Sequence, residues 1–487
     1  MLFNSFSYMV FLPVVVLLYW NCPRKFRTPL LLLASYVFYM FWKPIYGLLI
    51  LALTVANYFL GRVLDKNKSH RKLLLIGGIA FNLLVLGFFK YAYFARDSAN
   101  EFLKFLGSSQ LPQFPFDIIL PLGISFFAFE FIHYIADVYK GSPAVKSFME
   151  FALFPSFFPT QIAGPIKRFQ DFIPQLAHDT KFKAEFLNEG IELVLFGLFK
   201  KVCLADNIAI VVNRCYAHPD ILSAADMWIA TWAFFFQVYF DFSGYTDVAR
   251  GSAALLGFKV PINFDMPMLS CSITDFWRRW HISLSTWLRD YLFIPLGGSK
   301  EGELMTQRNS LITMTIAGLW HGASMNFLAW GFYLGLMLVV HRNWLQLVRK
   351  VSWLQNVVAT KLFHIFAIAL TFNAFSFGLV FFRSSNMQMA WSVMRKMLLL
   401  DPSPAGTLAY IPSMLTTSSS VMFLLMPLML GAFLLAQMLV SRFKGTPGIM
   451  PFPQTAPALR GVYLAVLAII LLLVAPGVTA NYIYFQF

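Results

Sequence analysis

Apolar stretches long enough to cross a hydrocarbon core of about 30 Å recur from one end of this chain to the other, and nothing else about it restricts its fold so much. The clearest occupy residues 28–60, 73–89, 191–212, 228–242, 311–340, 362–382, 421–440 and 462–478, with 3–20 and 116–138 as further candidates. Charged residues make up only 13% of the sequence and hydrophobic ones 58%, whereas an ordinary soluble domain is about a quarter charged. The chain reads as an all-α polytopic membrane protein with about ten to twelve spanning or re-entrant helices. Its first partner is the lipid bilayer, and residues 1–487 form a single integral membrane domain. No basic segment precedes the first run, so residues 3–20 read as a span rather than a cleaved signal peptide.

The formal net charge of +15 follows from the positive-inside rule, because Lys and Arg collect in short cytoplasmic loops, and it calls for no nucleic acid. Basic loops fall at 24–27, 62–72, 140–146, 167–168, 200–201, 342–361 and 442–460. If residues 28–60 are two helices broken near Lys43-Pro44, the first two basic loops share a side and the N-terminus lies outside. Arg383, Arg395 and Lys396 fit only as part of a shallow interfacial helix. Cys22, Cys203, Cys215 and Cys271 are scattered and read as small packing residues, giving neither a disulfide framework nor a thiolate metal site.

Two places break the helical pattern. Residues 154–169 carry Pro155, Pro159, Gly164 and Pro165 among aromatics and end in Lys167-Arg168, and residues 292–300 carry Pro295-Leu296-Gly297-Gly298. Irregular backbone at membrane depth is tolerated only where it is buried in protein or lines a cavity, so both are expected to be re-entrant elements around a central site.

Three groups of polar residues stand out against this background. Wound as one helix, residues 274–290 place Thr274, Asp275, Arg278, Arg279, His281, Ser285, Thr286, Arg289 and Asp290 on one arc, facing water or a protein-lined cavity, with Phe276, Trp277, Trp280, Leu284, Trp287 and Leu288 opposite. Asp275 can pair with Arg279 one turn on. Snorkelling arginines on an interfacial helix are the plainer alternative. The second group is a single residue, His321, the one ionisable side chain in the apolar run 311–340, flanked by Gly318 and Gly322, which admit a neighbouring backbone or a substrate. That run is too long for one straight helix and too short for two with a loop. An intramembrane ionisable residue is a functional candidate, and histidine is suited to taking a proton from a hydroxyl at neutral pH; a satisfied core histidine is the other reading. The third group, Gln237, Asp241, Ser243 and Asp247, follows a span, and its carboxylates either pair with the arginines of the first group or contact substrate. His133 and Asp137 match a His-x-x-x-Asp pattern of soluble acyltransferases, but at the end of an apolar run they read as an interfacial hydrogen-bonding pair.

The runs Leu120-Pro121-Leu122-Gly123-Ile124-Ser125-Phe126, Ile162-Ala163-Gly164-Pro165, Tyr239-Phe240-Asp241-Phe242-Ser243-Gly244-Tyr245, Asp275-Phe276-Trp277-Arg278-Arg279-Trp280-His281-Ile282-Ser283-Leu284-Ser285-Thr286-Trp287-Leu288-Arg289-Asp290-Tyr291 and Gly318-Leu319-Trp320-His321-Gly322 resemble the membrane-bound O-acyltransferase family, and within it the bacterial alginate O-acetylation branch. They spread over residues 1–385, with the family core at about 100–385 and terminal helices over 386–487. The resemblance implies a helical fold around a central tunnel, in a bacterial inner membrane. It also implies that an acyl thioester, acetyl-CoA, enters from the cytoplasm as donor substrate, with no permanently bound cofactor and no metal. The acceptor hydroxyl, on an exported polysaccharide or a relay partner such as a secreted SGNH-type protein, comes from outside. By the same resemblance His321 is the catalytic histidine and His281 a second required one.

The mechanism expected from these residues has His321 as general base on the acceptor hydroxyl, with no covalent enzyme intermediate. His281, Arg278 and Arg289 hold the donor or stabilise the oxyanion, supported by Arg279, Ser285, Asp275, Gln237, Asp241 and Ser243. Lys167 and Arg168 meet the phosphates of coenzyme A. A transporter or flippase of an acyl group or polysaccharide precursor, a subunit that only scaffolds a separate acetyltransferase, and a D-alanyl transferase to teichoic acid are the competing readings.

Overall fold

The computed structural model describes residues 1–399 apart from 68 and 179, together with 431, 435, 457–474 and 482–483. The expected span at 421–440 lies almost wholly outside the described residues. Among those described the chain is helical, with a single isolated bridge between Phe264 and Trp280 in place of a sheet. Three described helices are long and apolar enough to cross a bilayer, Pro44–Lys66, Arg71–Phe105 and Lys361–Arg383, and Phe6–Asn21 and Arg460–Leu473 are shorter apolar segments. The chain forms two compact units, Met1–Leu187 with Ser252–Pro261, and Asn188–Gly251 with Ile262–Phe487.

The first unit holds α1 (Phe6–Asn21), α2 (Arg24–Met40), α3 (Pro44–Lys66), α4 (Arg71–Phe105), α5 (Ile124–Tyr139), α6 (Phe148–Ser156) and α7 (Phe169–Ala177). The apolar run 28–60 is broken where its sequence implies. Pro44 opens α3 at the first helical position, where its missing N–H costs nothing and its fixed φ suits the turn. α5 is the buried axis: its Phe127, Phe131 and Tyr134 pack with Phe151 of α6, and its His133 meets Phe154, in one aromatic core. It starts after Gly123, whose φ is +70° and where a Cβ would stand 2.9 Å from the Gln161 carbonyl oxygen. Only glycine serves there, for conformation and space together. The irregular stretch after α6 is buried in protein, as irregular backbone in such a chain must be, with Ser35 Oγ accepting from the Phe158 amide at 3.1 Å.

The second unit holds most of α8 (Ala184–Leu198), a π-helical turn Phe199–Ala205, α9 (Asp206–Ala217), residues 224–251 of α10 (Ala224–Leu255), α11 (Ile273–Arg279), α12 (Ile282–Leu288), α13 (Glu303–His321), α14 (Met325–Lys350), α15 (Ser352–Val358), α16 (Lys361–Arg383), α17 (Met387–Met397) and α18 (Pro457–Val474). The run 311–340, too short on its apolar residues for two helices, nevertheless forms two. α13 begins at Glu303 and α14 continues to Lys350, beyond the run at both ends, and Gly322-Ala323-Ser324 turns between them. Arg383 donates to Asn213 Oδ1 at 2.8 Å and lies over the Tyr216 ring, while Lys396 on the short α17 donates to the Pro219 and Asp220 carbonyls. These cations close turns of their own unit.

α8 and α10 meet backbone to backbone. A Cβ on Gly197 would stand 2.6 Å from the Gly244 oxygen, one on Gly244 would stand 2.7 Å from the Gly197 oxygen, and Gly251 meets Gly190 in the same way. Small residues at such contacts let helices in a membrane approach closely enough for packing to hold them. Gly244→Leu should force α8 and α10 apart at a cost of about 1–3 kcal/mol or more, read as a lower unfolding temperature of the purified protein in detergent.

Candidate active site

His321 is the last residue of α13, where the helix gives way to the extended Gly322. Its position follows from glycine spacing. Gly318 lies against the Gly331 backbone at what would be 2.6 Å from its Cβ to Gly331 Cα, so α13 and α14 cross in contact one turn before the histidine. Gly322 faces the Phe327 ring. The space these glycines leave is taken by α14, the first of the two uses the sequence allowed. The imidazole is 8% exposed and walled by rings: Trp320 at 4.7 Å between centroids, Trp330 at 5.0 Å and Phe382 at 5.8 Å, all edge-on. Such walls keep bulk water away from a group that can accept a proton from a hydroxyl.

His281 occupies a different kind of position. The single helix expected over residues 274–290 does not form. α11 ends at Arg279, His281 turns with φ +43° and ψ 54°, and α12 starts at Ile282. The left-handed turn redirects the chain, so the predicted polar arc is not one surface. The imidazole is fully buried, 4.6 Å from the Phe242 ring of α10 and 6.3 Å from Trp320. Both histidines therefore flank one indole, that of Trp320. Arg278 and Arg289 are exposed, Arg289 pairing with Asp290 at 2.7 Å. The structure thus buries the two histidines and leaves those two arginines at the surface of the unit. Asp275 and Arg279 pair within α11 at 3.1 Å as their spacing predicts, and Ser285 Oγ donates to the Trp280 carbonyl at 3.2 Å.

The α10 stripe is buried, with Gln237, Asp241 and Ser243 all interior. Its carboxylates pair with lysines rather than with the arginines of 278–289. Lys201, on the π-helical turn and 1% exposed, lies 2.7 Å from Asp241 and 2.8 Å from Asp206. Lys200 pairs with Asp247, which also accepts from Arg250 at 3.0 Å. Asp241 further accepts the Ile483 amide at 2.9 Å, and Lys201 sits 4.5 Å over the Tyr482 ring. Lys200-Lys201 is therefore no exposed basic loop. The correction has a physical cause: three aspartates, two of them about forty residues on in α10, neutralise the pair in the interior. Lysines facing carboxylates across a helix pair leave no local sequence signal, and neither does the aromatic wall from α14 and α16.

In the first unit Lys167 is 2% exposed and paired with Glu130 at 2.8 Å, between the Phe154 and Phe172 rings. The phosphate contact expected of it would have to break that pair. Arg168 is partly exposed. His133 is buried against Phe154 and Phe169, and Asp137 accepts from Gln170 at 2.8 Å. No group of three His, Cys, Asp or Glu side chains among the described residues is placed to hold a metal ion.

Residues 138–382 match the family described as MBOAT, membrane-bound O-acyltransferase. The chain is 40% identical over 403 residues to a probable alginate O-acetylase, AlgI, of Pseudomonas aeruginosa, covering 82% of this chain and 75% of that one. It is 35% identical over 436 residues to a peptidoglycan O-acetyltransferase of Helicobacter pylori, covering 82% and 80%. With a teichoic acid D-alanyltransferase of Bacillus subtilis it shares 29% identity over 332 residues, 62% of this chain and 82% of the other.

Proposed function

This chain belongs to the membrane-bound O-acyltransferase family, and from that premise we propose that it moves an acetyl group from acetyl-CoA to a hydroxyl on an exported polysaccharide, directly or through a relay protein of the SGNH type. It works as a multi-pass protein of a bacterial inner membrane, with about ten to twelve spanning or re-entrant helices. His321 is the base. It takes the acceptor hydroxyl proton as the oxygen attacks the thioester carbonyl, the C–S bond breaks as the C–O bond forms, and the proton passes to the leaving thiolate. No acyl-enzyme on a serine is needed. His281, whose ring lies 6.3 Å from the same indole, supports the same reaction.

The observation that carries this reading is the burial of His321 in an aromatic enclosure reached by the second histidine through one shared ring. The acetylating branch is favoured over D-alanyl transfer by the higher identity and fuller coverage of the O-acetylating relatives. The test uses membrane vesicles that carry the protein, given acetyl-CoA labelled in the acetyl group together with the exported glycan. Label should appear as base-labile O-ester on the glycan or on a co-expressed relay protein, with coenzyme A released in equal amount. Movement of label across the membrane without thioester cleavage would instead establish the transporter, and label accepted only from a D-alanyl carrier would redirect the donor.

A further inference from the structure

The strained turn at His281 is held by a residue outside the motif. A residue at the start of a helix ordinarily caps it, its side-chain oxygen accepting an amide two or three positions on. His281 stands in that position for α12 and makes no such cap. Asn263, eighteen positions upstream, supplies it instead. Its Oδ1 accepts the Ser283 amide at 3.1 Å and its carbonyl oxygen accepts the Ile282 amide at 3.0 Å, so both leading amides of α12 end on one residue. The neighbouring backbone is pinned as well: Phe264 and Trp280 form the isolated bridge, and the Asp265 amide donates to the Arg279 carbonyl at 2.9 Å.

A non-glycine residue in the left-handed region costs of order 1–3 kcal/mol and persists only where its surroundings over-determine it. Here the surroundings are Asn263 and the residues Phe264 and Asp265 that follow it. With its capping duty taken over, the His281 ring is turned against Phe242 and Trp320 rather than back onto its own helix. Asn263 is 1% exposed, and its Nδ2 has no partner among the described residues. The amide is thus held by its acceptor oxygen alone.

We propose that Asn263 is a positioning residue for the acyl transfer, fixing the left-handed turn that aims the His281 imidazole at Trp320. The inference rests on the role given to His281 above. Asn263→Ala removes the Oδ1 cap and lets the turn relax. Displacement of a reacting group by about 1 Å costs up to 10²-fold, so kcat per folded molecule should fall at least tenfold while KM for acetyl-CoA holds. Asn263→Asp keeps the acceptor oxygen and should recover most of the rate, whereas Asn263→Leu, of similar bulk but without the acceptor, should fall with Asn263→Ala; a residue needed only for bulk would be served by Leu as well as by Asp. Adding Asn263→Ala to His281→Ala should cause no further loss, because the residue works through the histidine.

The variants and the wild type are compared on labelled acetyl-CoA with folded protein counted by detergent gel filtration. Wild-type kcat in Asn263→Ala, or a loss that multiplies with that of His281→Ala, overturns the inference while leaving the role of His281 standing. Full transfer by His281→Ala overturns both. Should Asn263→Ala fail to accumulate, Asn263→Ser, whose hydroxyl is one bond too short to reach the Ser283 amide, carries the same expectation.

Discussion

Replacing His321 with alanine is expected to abolish acetate transfer and to leave the protein folded in the membrane. Loss of a general base costs about 10²–10⁴-fold, and the walls of the enclosure, Trp320, Trp330 and Phe382, offer no base to take its place. The fold should survive because the crossing of α13 and α14 is made by Gly318 and Gly331 backbone, not by the imidazole. The hole left among the rings lowers stability by a few kcal/mol at most. Initial rates of label transfer from acetyl-CoA, set against the amount of folded protein after gel filtration, separate the two effects. Transfer at the wild-type rate would remove His321 from the reaction and leave the fold assignment untouched. Loss of transfer together with loss of folded protein would make the residue a core histidine, the plainer reading its sequence position allowed.

His321 was legible in the sequence for a simple reason. It is the one ionisable group in a long apolar run, and the energy of burying such a group makes its presence informative by itself. The break between α2 and α3 was equally legible, since Pro44 can open a helix but cannot continue one. Most of the hidden features arise from partners distant in sequence. No local pattern marks the turn at His281, because the device that holds it, Asn263, lies eighteen residues earlier. A helical wheel through residues 274–290 requires a continuous backbone to bring Arg278 and Arg289 to the face of His281. The turn removes them from it. The α13–α14 pair escapes the sequence for a different reason: hydropathy measures the apolar run, whereas helices extend past it into polar residues such as Glu303 and Arg349.

Lys201 gives the largest expected effect on stability. Alanine there would leave Asp241 and Asp206 facing one another in the interior, at positions 2.7 and 2.8 Å from the vanished ammonium. Removing one partner of a buried pair costs about 3–5 kcal/mol, because the desolvated charge that remains has nothing to offset it. Two carboxylates with no cation make this the severe case. Asp241→Ala should be milder, since Lys201 keeps Asp206, though it also gives up the acceptor of the Ile483 amide. The order Lys201→Ala worse than Asp241→Ala follows from the geometry and not from burial, which is nearly the same for both. Combining Lys201→Met with Asp206→Asn and Asp241→Asn removes all three charges at little change in volume, and it should recover most of the loss. Thermal unfolding of the three variants beside the wild type in detergent ranks them. If Lys201→Ala melts with the wild type, the network is a bystander; if it melts early and the neutral triple variant does not, the cost was the unpaired charge. A lysine in a chain this apolar is then retained for holding the π-helical turn, α10 and the Tyr482-Ile483 segment to a single point.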